Sequence, residues 1–556
     1  NIAGLVGISF SWQQGEGWYI SVPDDEAGAK EILSDLNKVF LSGALKVGQN
    51  IKYDLLVLYR YGIKPKPPFF DTMVAHYLIE PSAMRRNLQA LSQNHLKYDP
   101  VSYADMLEGK SDIREVPIER IKEYACEDAD ITLQLKEVLE PKLTESGNAT
   151  LFKQIEAPLI PVLAAMEAEG IRIDREVLAT QSGELSTEAD QVQKRIFEDV
   201  GFEFNISSPK QVGEVLFEHL KIIDKPRKTR TGQYATGEDI LLRLKHSHPV
   251  VEYILEYREI LKLKNTYVDT FPSMINPHTG RIHTSFNQVV TSTGRLSSDK
   301  PNLQNIPIRS ERGRRIRKAF VPRNDDYCLM SADYSQIELR VIASISKDEG
   351  MMTAFNEGLD IHAATAAKIF SVPLEDVTAE MRRKAKAVNF GIAYGQTAFG
   401  LSQSLQIPKS EAAEIIDSFF RQFPGVKLYM ESVVRLAREK GFVQTLKGRR
   451  HYLKDINSLN ANVRNHAERI AINSPIQGSA ADMIKIAMIG IYDELNKRKL
   501  FSNLLLQVHD ELVLDVHNTE IEEVKELVNQ CMKTALPLEV PVIADINTGK
   551  NWLDAH

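Results

Sequence analysis

Cysteine is nearly absent: Cys126, Cys328 and Cys531 lie far apart, and no Cys-x-x-Cys pair occurs. That leaves neither the spacing of a zinc ribbon nor a disulfide framework, and it suits a reducing, cytoplasmic setting. Long apolar runs are missing too. The best, residues 157–166, is interrupted by proline and falls short of the ~18 residues a membrane span needs, so no membrane partner is expected. No charged-then-apolar signal peptide opens the chain; it starts Asn1-Ile-Ala-Gly with no initiator Met and reads as a piece of something longer. Gly (30) and Pro (24) are scattered at ordinary frequency, which excludes collagen-like and low-complexity architecture. With 43% hydrophobic and 26% charged residues, disorder is excluded as the main theme.

What remains is a 556-residue chain, long enough for about three to five domains or subdomains. Its net charge of −7 argues mildly against a nucleic-acid partner, but the charge is uneven. Residues 201–320 carry 20 Lys and Arg against 12 Asp and Glu, so the rest of the chain holds −15. A basic middle in an acidic protein suits a polyanion-binding surface, or equally a solvated charged face.

The pattern along the chain is α/β at both ends. Residues 5–12 and 17–22 read as two strands joined by a Gly-containing turn, and helical patterns follow. From about 147 to 266 the pattern is mostly helical, with Ser208 as N-cap, Pro209 at the first helical position, and a mobile basic tip at 225–232. Beyond 271, short strands alternate with long helices. Residues 327–333 form an apolar strand ending in Asp333, and 504–516 a hairpin with His509, Asp510 and Glu511 at its turn.

Two features carry chemistry. Asp333 and Asp510, 177 residues apart, both sit at strand ends. Two such carboxylates suit Mg²⁺, and a metal pair about 3.5–4 Å apart can serve in-line phosphoryl displacement; taken alone, a strand-end aspartate more often caps a turn. The second is the series Arg382, Lys386, Phe390 and Tyr394, spaced four apart. On a helix each step drifts about 40°, so the four form one stripe about 120° wide. Its cations can hold a triphosphate and its aromatics can stack on a base. The alternative is an amphipathic helix whose cations snorkel at the core edge.

These segments resemble the three signature motifs of family A DNA polymerases: Asp333-Tyr-Ser-Gln-Ile-Glu-Leu-Arg340, the Arg382 to Tyr394 helix, and Gln507-Val-His-Asp-Glu-Leu-Val513. Further matching stretches are 292–298, 302–307, 360–362, 448–450 and 468–478, in family order. The resemblance implies DNA polymerisation for replication and repair. Asp333 and Asp510 would bind two Mg²⁺ ions, with the Tyr334 carbonyl as a further ligand and Mn²⁺ able to substitute. Glu511 would be an accessory carboxylate. Arg382 and Lys386 would grip the deoxynucleoside triphosphate, Lys386 also assisting the leaving pyrophosphate. Gln336 and His362 would assist nearby. Glu338 and Tyr394 would close off the sugar 2′ position, and Phe390 would go with rejection of dideoxynucleotides. Arg295, Arg469, Asn473, Gln477 and His509 would line the primer–template, whose minor-groove acceptors look alike in every correct pair. Arg312, Arg314, Arg315, Arg317 and Lys318 could neutralise phosphates or form a solvated face.

Residues 50–54 and 124–128 resemble the second and third motifs of the 3′–5′ proofreading exonuclease, with Asp54, Tyr124 and Asp128 matching. The first motif, Asp-x-Glu, is absent, and Asp24-Asp-Glu26 follows the second strand as a loop decoy, so no proofreading is predicted from this chain. The implied architecture is multidomain α/β. An RNase H-like exonuclease-type domain (1–146) precedes a right-hand polymerase with thumb (147–270), palm (271–340 and 476–556) and fingers (341–475). It would act as a monomer in the bacterial cytoplasm, at the nucleoid. Three competitors stay open: a single-subunit RNA polymerase, a DNA-degrading enzyme and a catalytically silent DNA-binding protein. Glu338, the missing Asp-x-Glu, and the retained Asp333, Asp510 and Lys386 argue against them in turn.

Overall fold

A computed structural model describes residues 4–308 and 310–556. Near the start, the two expected strands form as Gly7–Phe10 and Trp18–Ser21 and pair antiparallel, with Phe10 opposite Trp18. Asp25 then caps the Glu26–Phe40 helix by accepting from the Gly28 N–H at 2.7 Å. Asp24-Asp-Glu26 is therefore a strand-to-helix junction, in line with the loop reading. Lys46–Gly48 and Phe69–Asp71 form a parallel pair, and each leads into a helix.

The Ile118–Glu145 helix supplies Leu135, Leu139 and Leu143 to a core shared with Phe70, Leu151, Phe152 and Ile155. The last three open the Ala149–Glu169 helical stretch. It continues through its prolines to 21 residues, long and apolar enough by length and composition to cross a membrane. A π-turn at Phe152–Glu156 precedes Pro158, and Pro161 lies inside the Ala157–Glu169 helix that follows. Ile160 and Ala164 pack on Ile51, Leu55 and Phe69, so the apolar side of this stretch is core. The prolines read in the sequence as an interruption are thus built into one continuous element.

The chain divides into two compact units. One comprises the chain up to Glu169, Thr284–Lys300 and Ser331–Asn547; the other Gly170–His283, Pro301–Met330 and Thr548–His556. The expected boundary at 147 differs from this division, because Leu151, Phe152 and Ile155 bury themselves in the first unit's core. The expected 271–340 segment is likewise shared between both units.

A four-stranded sheet has the order Asn503–Val508, Glu511–His517, Tyr327–Tyr334, Ala544–Gly549, and its residues from Ser331 onward up to Asn547 belong to the first unit. The Ala157–Glu169 helix and the 38-residue Ala461–Arg498 helix both pack on its Asn503–Val508 strand. In the second unit a small antiparallel sheet places Ile171–Ile173 between Arg281–Ile282 and Phe320–Val321. The long Arg175–Val200 and Pro249–Leu263 helices pack together. Ser208 is the N-cap with Pro209 at the first position. The 225–232 tip is tied rather than loose: Thr229 donates to Gln233 (2.7 Å) and Ala235 to Arg227 (2.8 Å), main chain to main chain.

Candidate active site

The Tyr327–Tyr334 strand buries Leu329, Met330 and Ala332 and leaves Asp333 half-buried near its end. The neighbouring hairpin turns in two residues, His509 and Asp510, with His509 left-handed at φ 54°. The Tyr334 N–H donates to the Asp510 carbonyl at 3.2 Å. One main-chain bond thus makes neighbours of the two aspartate-bearing segments. Burial pushes the Asp510 carboxyl above its ordinary pKa, with Arg295 opposing.

Asp333 and Asp510, carried on these adjoining segments, are hard oxygen donors of the kind a divalent cation takes. The Tyr334 hydroxyl donates to the Met532 carbonyl at 2.8 Å, which commits its side chain to the fold and leaves its main chain as the available donor. Glu511 is 3% exposed and accepts from Ser331 Oγ at 2.7 Å. Ser331 lies two residues before Asp333, on the same face of the strand, so Glu511 sits beside the pair within the sheet.

Ala379–Ala393 is helical, capped by Thr378, and Tyr394 is its C-cap. Ala385, Val388, Asn389 and Ile392 are buried. Arg382, Lys386 and Tyr394 are exposed and Phe390 is half-buried, so the four-spaced stripe is the outer face. Arg382 donates twice to Asp360, at 2.6 and 2.9 Å; Asp360 in turn caps the Ile361–Phe370 helix. Lys386 has no ion-pair or hydrogen-bond partner among the described residues.

His362 is 3% exposed and lies beneath the stripe. Its Nδ1 faces Asn389 Nδ2 at 3.0 Å and its ring stands 5.7 Å from that of Phe390. Burial lowers its pKa to about 4, with Lys386 and Arg382 adding to the effect and Asp360 opposing it, so the ring is neutral at neutral pH.

Glu338, 5% exposed, joins two predicted residues: it accepts from Arg295 Nη2 at 2.6 Å and from the Tyr394 hydroxyl at 2.8 Å. Burial raises its pKa, against Arg295 and Tyr394. Gln336 is left-handed (φ 54°) at the turn between the Asp333 strand and the Ile337–Ser346 helix.

Arg469, Asn473 and Gln477 lie four apart on Ala461–Arg498 and so share one stripe. Arg469 is exposed, the other two are half-buried, and Asn473 Oδ1 is buried without a partner among the described residues. A Cβ on Gly395 would come within 3.1 Å of Arg469 Cγ, so this stripe meets the end of the Arg382 helix. His509 is exposed at the hairpin turn.

The basic stretch is largely committed. Arg312 pairs with Glu188 (2.5 Å) and Glu256 (2.6 Å), Arg315 with Glu311 (2.7 Å), and Arg317 is buried over Trp552 at 4.1 Å. Arg314 and Lys318 remain exposed.

In the N-terminal region, Asp54 lies in the first turn of Ile51–Arg60. Asp54 is exposed as a residue, yet desolvation of its carboxyl, followed by repulsion from Asp71, raises its pKa to about 7. Tyr124 and Asp128 sit one turn apart on Ile118–Glu145 and hydrogen-bond; burial lifts Asp128 to about 6. Asp71 was missed. It is 1% exposed and accepts four main-chain N–H groups, from Asn50, Ile51, Met73 and Val74. Its signal was the one that marked Asp333: a short apolar strand closing on a carboxylate.

His76, Glu80 and His95 also converge. Lys142 Nζ lies 2.9 Å from His95 Nδ1 and His95 Nε2 3.1 Å from His76 Nδ1, which reads as a hydrogen-bond relay headed by an ammonium group rather than a cation site.

Aspartates at two neighbouring strand ends, with a helix that carries a cationic and aromatic stripe and bonds Glu338 through Tyr394, define the class. The chain belongs to DNA polymerase family A, whose model matches residues 175–554; a 3′–5′ exonuclease model matches residues 1–144. It is 42% identical to DNA polymerase I of Pseudomonas aeruginosa, over all of this chain and 62% of that protein. To DNA polymerase I of Geobacillus stearothermophilus it is 47% identical, over 89% of this chain and 56% of that protein. The chain thus spans about three-fifths of the length of these curated relatives. It also resembles a solved structure, the POL domain of Pol1 from M. smegmatis in complex with DNA primer-template and dNTP. The TM-score is 0.87 at 38% identity, over 97% of this chain and 91% of that one.

Proposed function

We propose that this chain is a template-directed DNA polymerase that extends a primer 3′ hydroxyl with deoxynucleoside triphosphates. The observation that carries the reading is the Tyr334–Asp510 main-chain bond, which brings two aspartates distant in sequence to one sheet end. Asp333 and Asp510, with the Tyr334 carbonyl, would hold Mg²⁺, or Mn²⁺ in its place. Such ions activate the attacking oxygen and stabilise the leaving one.

The protein's own groups do the rest. Lys386, exposed and unpaired among the described residues, meets the triphosphate and neutralises charge on the departing pyrophosphate. Arg382 does the same once it exchanges Asp360 for phosphate. Phe390 offers a ring for the base. Glu338, fixed by Arg295 and Tyr394, fills the space a 2′-hydroxyl would need, which favours deoxyribose and speaks against the RNA polymerase alternative. Arg469, Asn473, Gln477 and His509 line the primer–template, and the enzyme works as a monomer. In this reading the four-stranded sheet is the palm, 341–475 the fingers and the long-helix unit the thumb.

The test is primer extension with Mg²⁺ by wild type and Asp510→Ala. Extension by the first alone is expected, with DNA binding retained in both. Extension by both at equal rates would sink the reading.

A further inference from the structure

A buried ionic cluster lies away from the residues assigned above. Glu156 and Lys485 are 0% exposed, Asp482 is 0% and Arg449 is 4%. Arg449 donates to Asp482 at 2.6 and 2.9 Å and also to Glu156, and Lys485 donates to Glu156 at 2.7 Å. Two acids and two bases balance. Burial alone would raise the Glu156 carboxyl, but Lys485 and Arg449 overcome it and hold the group down at about 2. The members come from three parts of the chain: the π-turn before the Ala157–Glu169 helix, the loop before the Arg450–Tyr452 strand, and the Ala461–Arg498 helix.

A buried ion pair seldom stabilises a fold more than apolar side chains of the same size would. What it does supply is fixed geometry, and here its neighbour is the loop that carries Arg295. Gln288 donates to the Glu156 carboxylate at 2.7 Å and to its carbonyl at 3.0 Å. At the other end Gly294 is left-handed (φ +84°), and a Cβ there would lie 2.5 Å from Arg449 Nε. The main chain can pass this close to the guanidinium only because residue 294 has no side chain. Between these points the Tyr77 hydroxyl holds the Thr291 carbonyl (2.7 Å), and Thr291 Oγ1 donates to the Arg295 carbonyl (2.6 Å). Arg295 then reaches Glu338 at 2.6 Å.

We propose that the Glu156–Arg449–Asp482–Lys485 cluster is a positioning device that sets the 288–295 loop, and through Arg295 the placement of Glu338, so that it governs discrimination between deoxy- and ribonucleotides. The cluster touches no substrate in this scheme. It fixes the loop from behind, and the loop fixes the carboxylate that faces the sugar. The inference rests on the polymerase reading above.

The experiment measures kcat/KM for a deoxynucleotide and its ribonucleotide counterpart, together with Tm, in wild type, Glu156→Gln, Thr291→Val and Leu33→Ala. Glu156→Gln keeps the shape of the side chain but not its charge. Thr291→Val is nearly isosteric at a half-exposed position, and so tests the loop even if Glu156→Gln does not fold. Leu33→Ala opens a cavity in a separate core cluster and serves as a stability control.

Because misplacement by about 1 Å costs up to about a hundredfold, the deoxy-to-ribo ratio is expected to fall about tenfold in Glu156→Gln and severalfold in Thr291→Val. Leu33→Ala lowers Tm with the ratio unchanged. A wild-type ratio in Thr291→Val, and in Glu156→Gln where it folds, would overturn the proposal, as would a fall in Leu33→Ala as large as theirs. Absence of templated extension by wild type would instead sink the underlying polymerase reading.

Discussion

At the scale of single residues, the stripe on the Ala379–Ala393 helix divides its labour by what each side chain already touches. Lys386 is exposed and has no partner among the described residues, so nothing has to be broken before it meets phosphate. Lys386→Ala should lower kcat for extension by about a hundredfold, the loss typical of removing a group that stabilises developing charge. A single-turnover chase of labelled deoxynucleotide checks it. Arg382 starts from a competing pair with Asp360. Asp360→Asn keeps an N-cap, because Asn serves there as well as Asp, yet removes the charge that holds Arg382. KM for the triphosphate should fall by a factor of about two to five, since an exposed pair of this kind is worth about 1 kcal/mol or less. On the proposed reading Phe390 lies near the sugar of the incoming nucleotide, where it offers no hydroxyl. Phe390→Tyr should raise dideoxynucleotide incorporation relative to deoxynucleotide by about tenfold or more, read from terminated product lengths.

At the scale of elements, the Ile361–Phe370 and Ala379–Ala393 helices are joined through buried Asn389, which bonds Thr365 at 3.1 Å and faces His362 at 3.0 Å. This has a consequence for pH. His362 has its pKa lowered from 6.5 to about 4 by burial, so between those values the unfolded chain binds a proton that the folded one does not. The stability it allows is complete above pH 6.5 and is lost as pH falls toward 4, by about 3 kcal/mol over the window. Wild type should therefore lose Tm more steeply than His362→Gln between pH 6.5 and 4.5. Parallel melting curves across that range would show the ring is not held neutral.

The same elements show what a sequence exposes. The Asp510 hairpin and the stripe were legible because periods of two and four residues are written locally. Glu156 was not legible. Its partner Lys485 lies 329 residues away, and each reads alone as one more charge on a helix. The compact division at Glu169 departs from the expected boundary at 147 for a related reason: Leu151 and Ile155 look like any amphipathic start, and only the core they enter assigns them to the first unit.

At the scale of the molecule, the charge imbalance bears on how an acidic protein holds a polyanion. The excess of basic residues in 201–320 is smaller in effect than the sequence suggests, because Arg312, Arg315 and Arg317 are already engaged. Exposed cations gather elsewhere in the same unit, at the tied tip, in Lys225, Arg227 and Arg230, with Lys228 over the Tyr234 ring at 4.8 Å. Main-chain bonds from Thr229 to Gln233 and from Ala235 to Arg227 present them on a fixed turn. Cations so placed would act on phosphates without reading sequence, by releasing counterions, and each phosphate neutralised adds about 0.9 to the slope of log affinity against log salt. Replacing Lys225, Arg227 and Arg230 together with alanine should weaken primer–template binding at low salt and reduce that slope by about two to three. Because the tip lies outside the set of groups assigned to chemistry, kcat at saturating DNA should stay within about twofold of wild type. Fluorescence anisotropy across a salt series gives the slope and steady-state extension gives kcat. An unchanged slope would move the DNA contact to another face, and a collapsed kcat would mean the tip supports the chemistry as well as the grip.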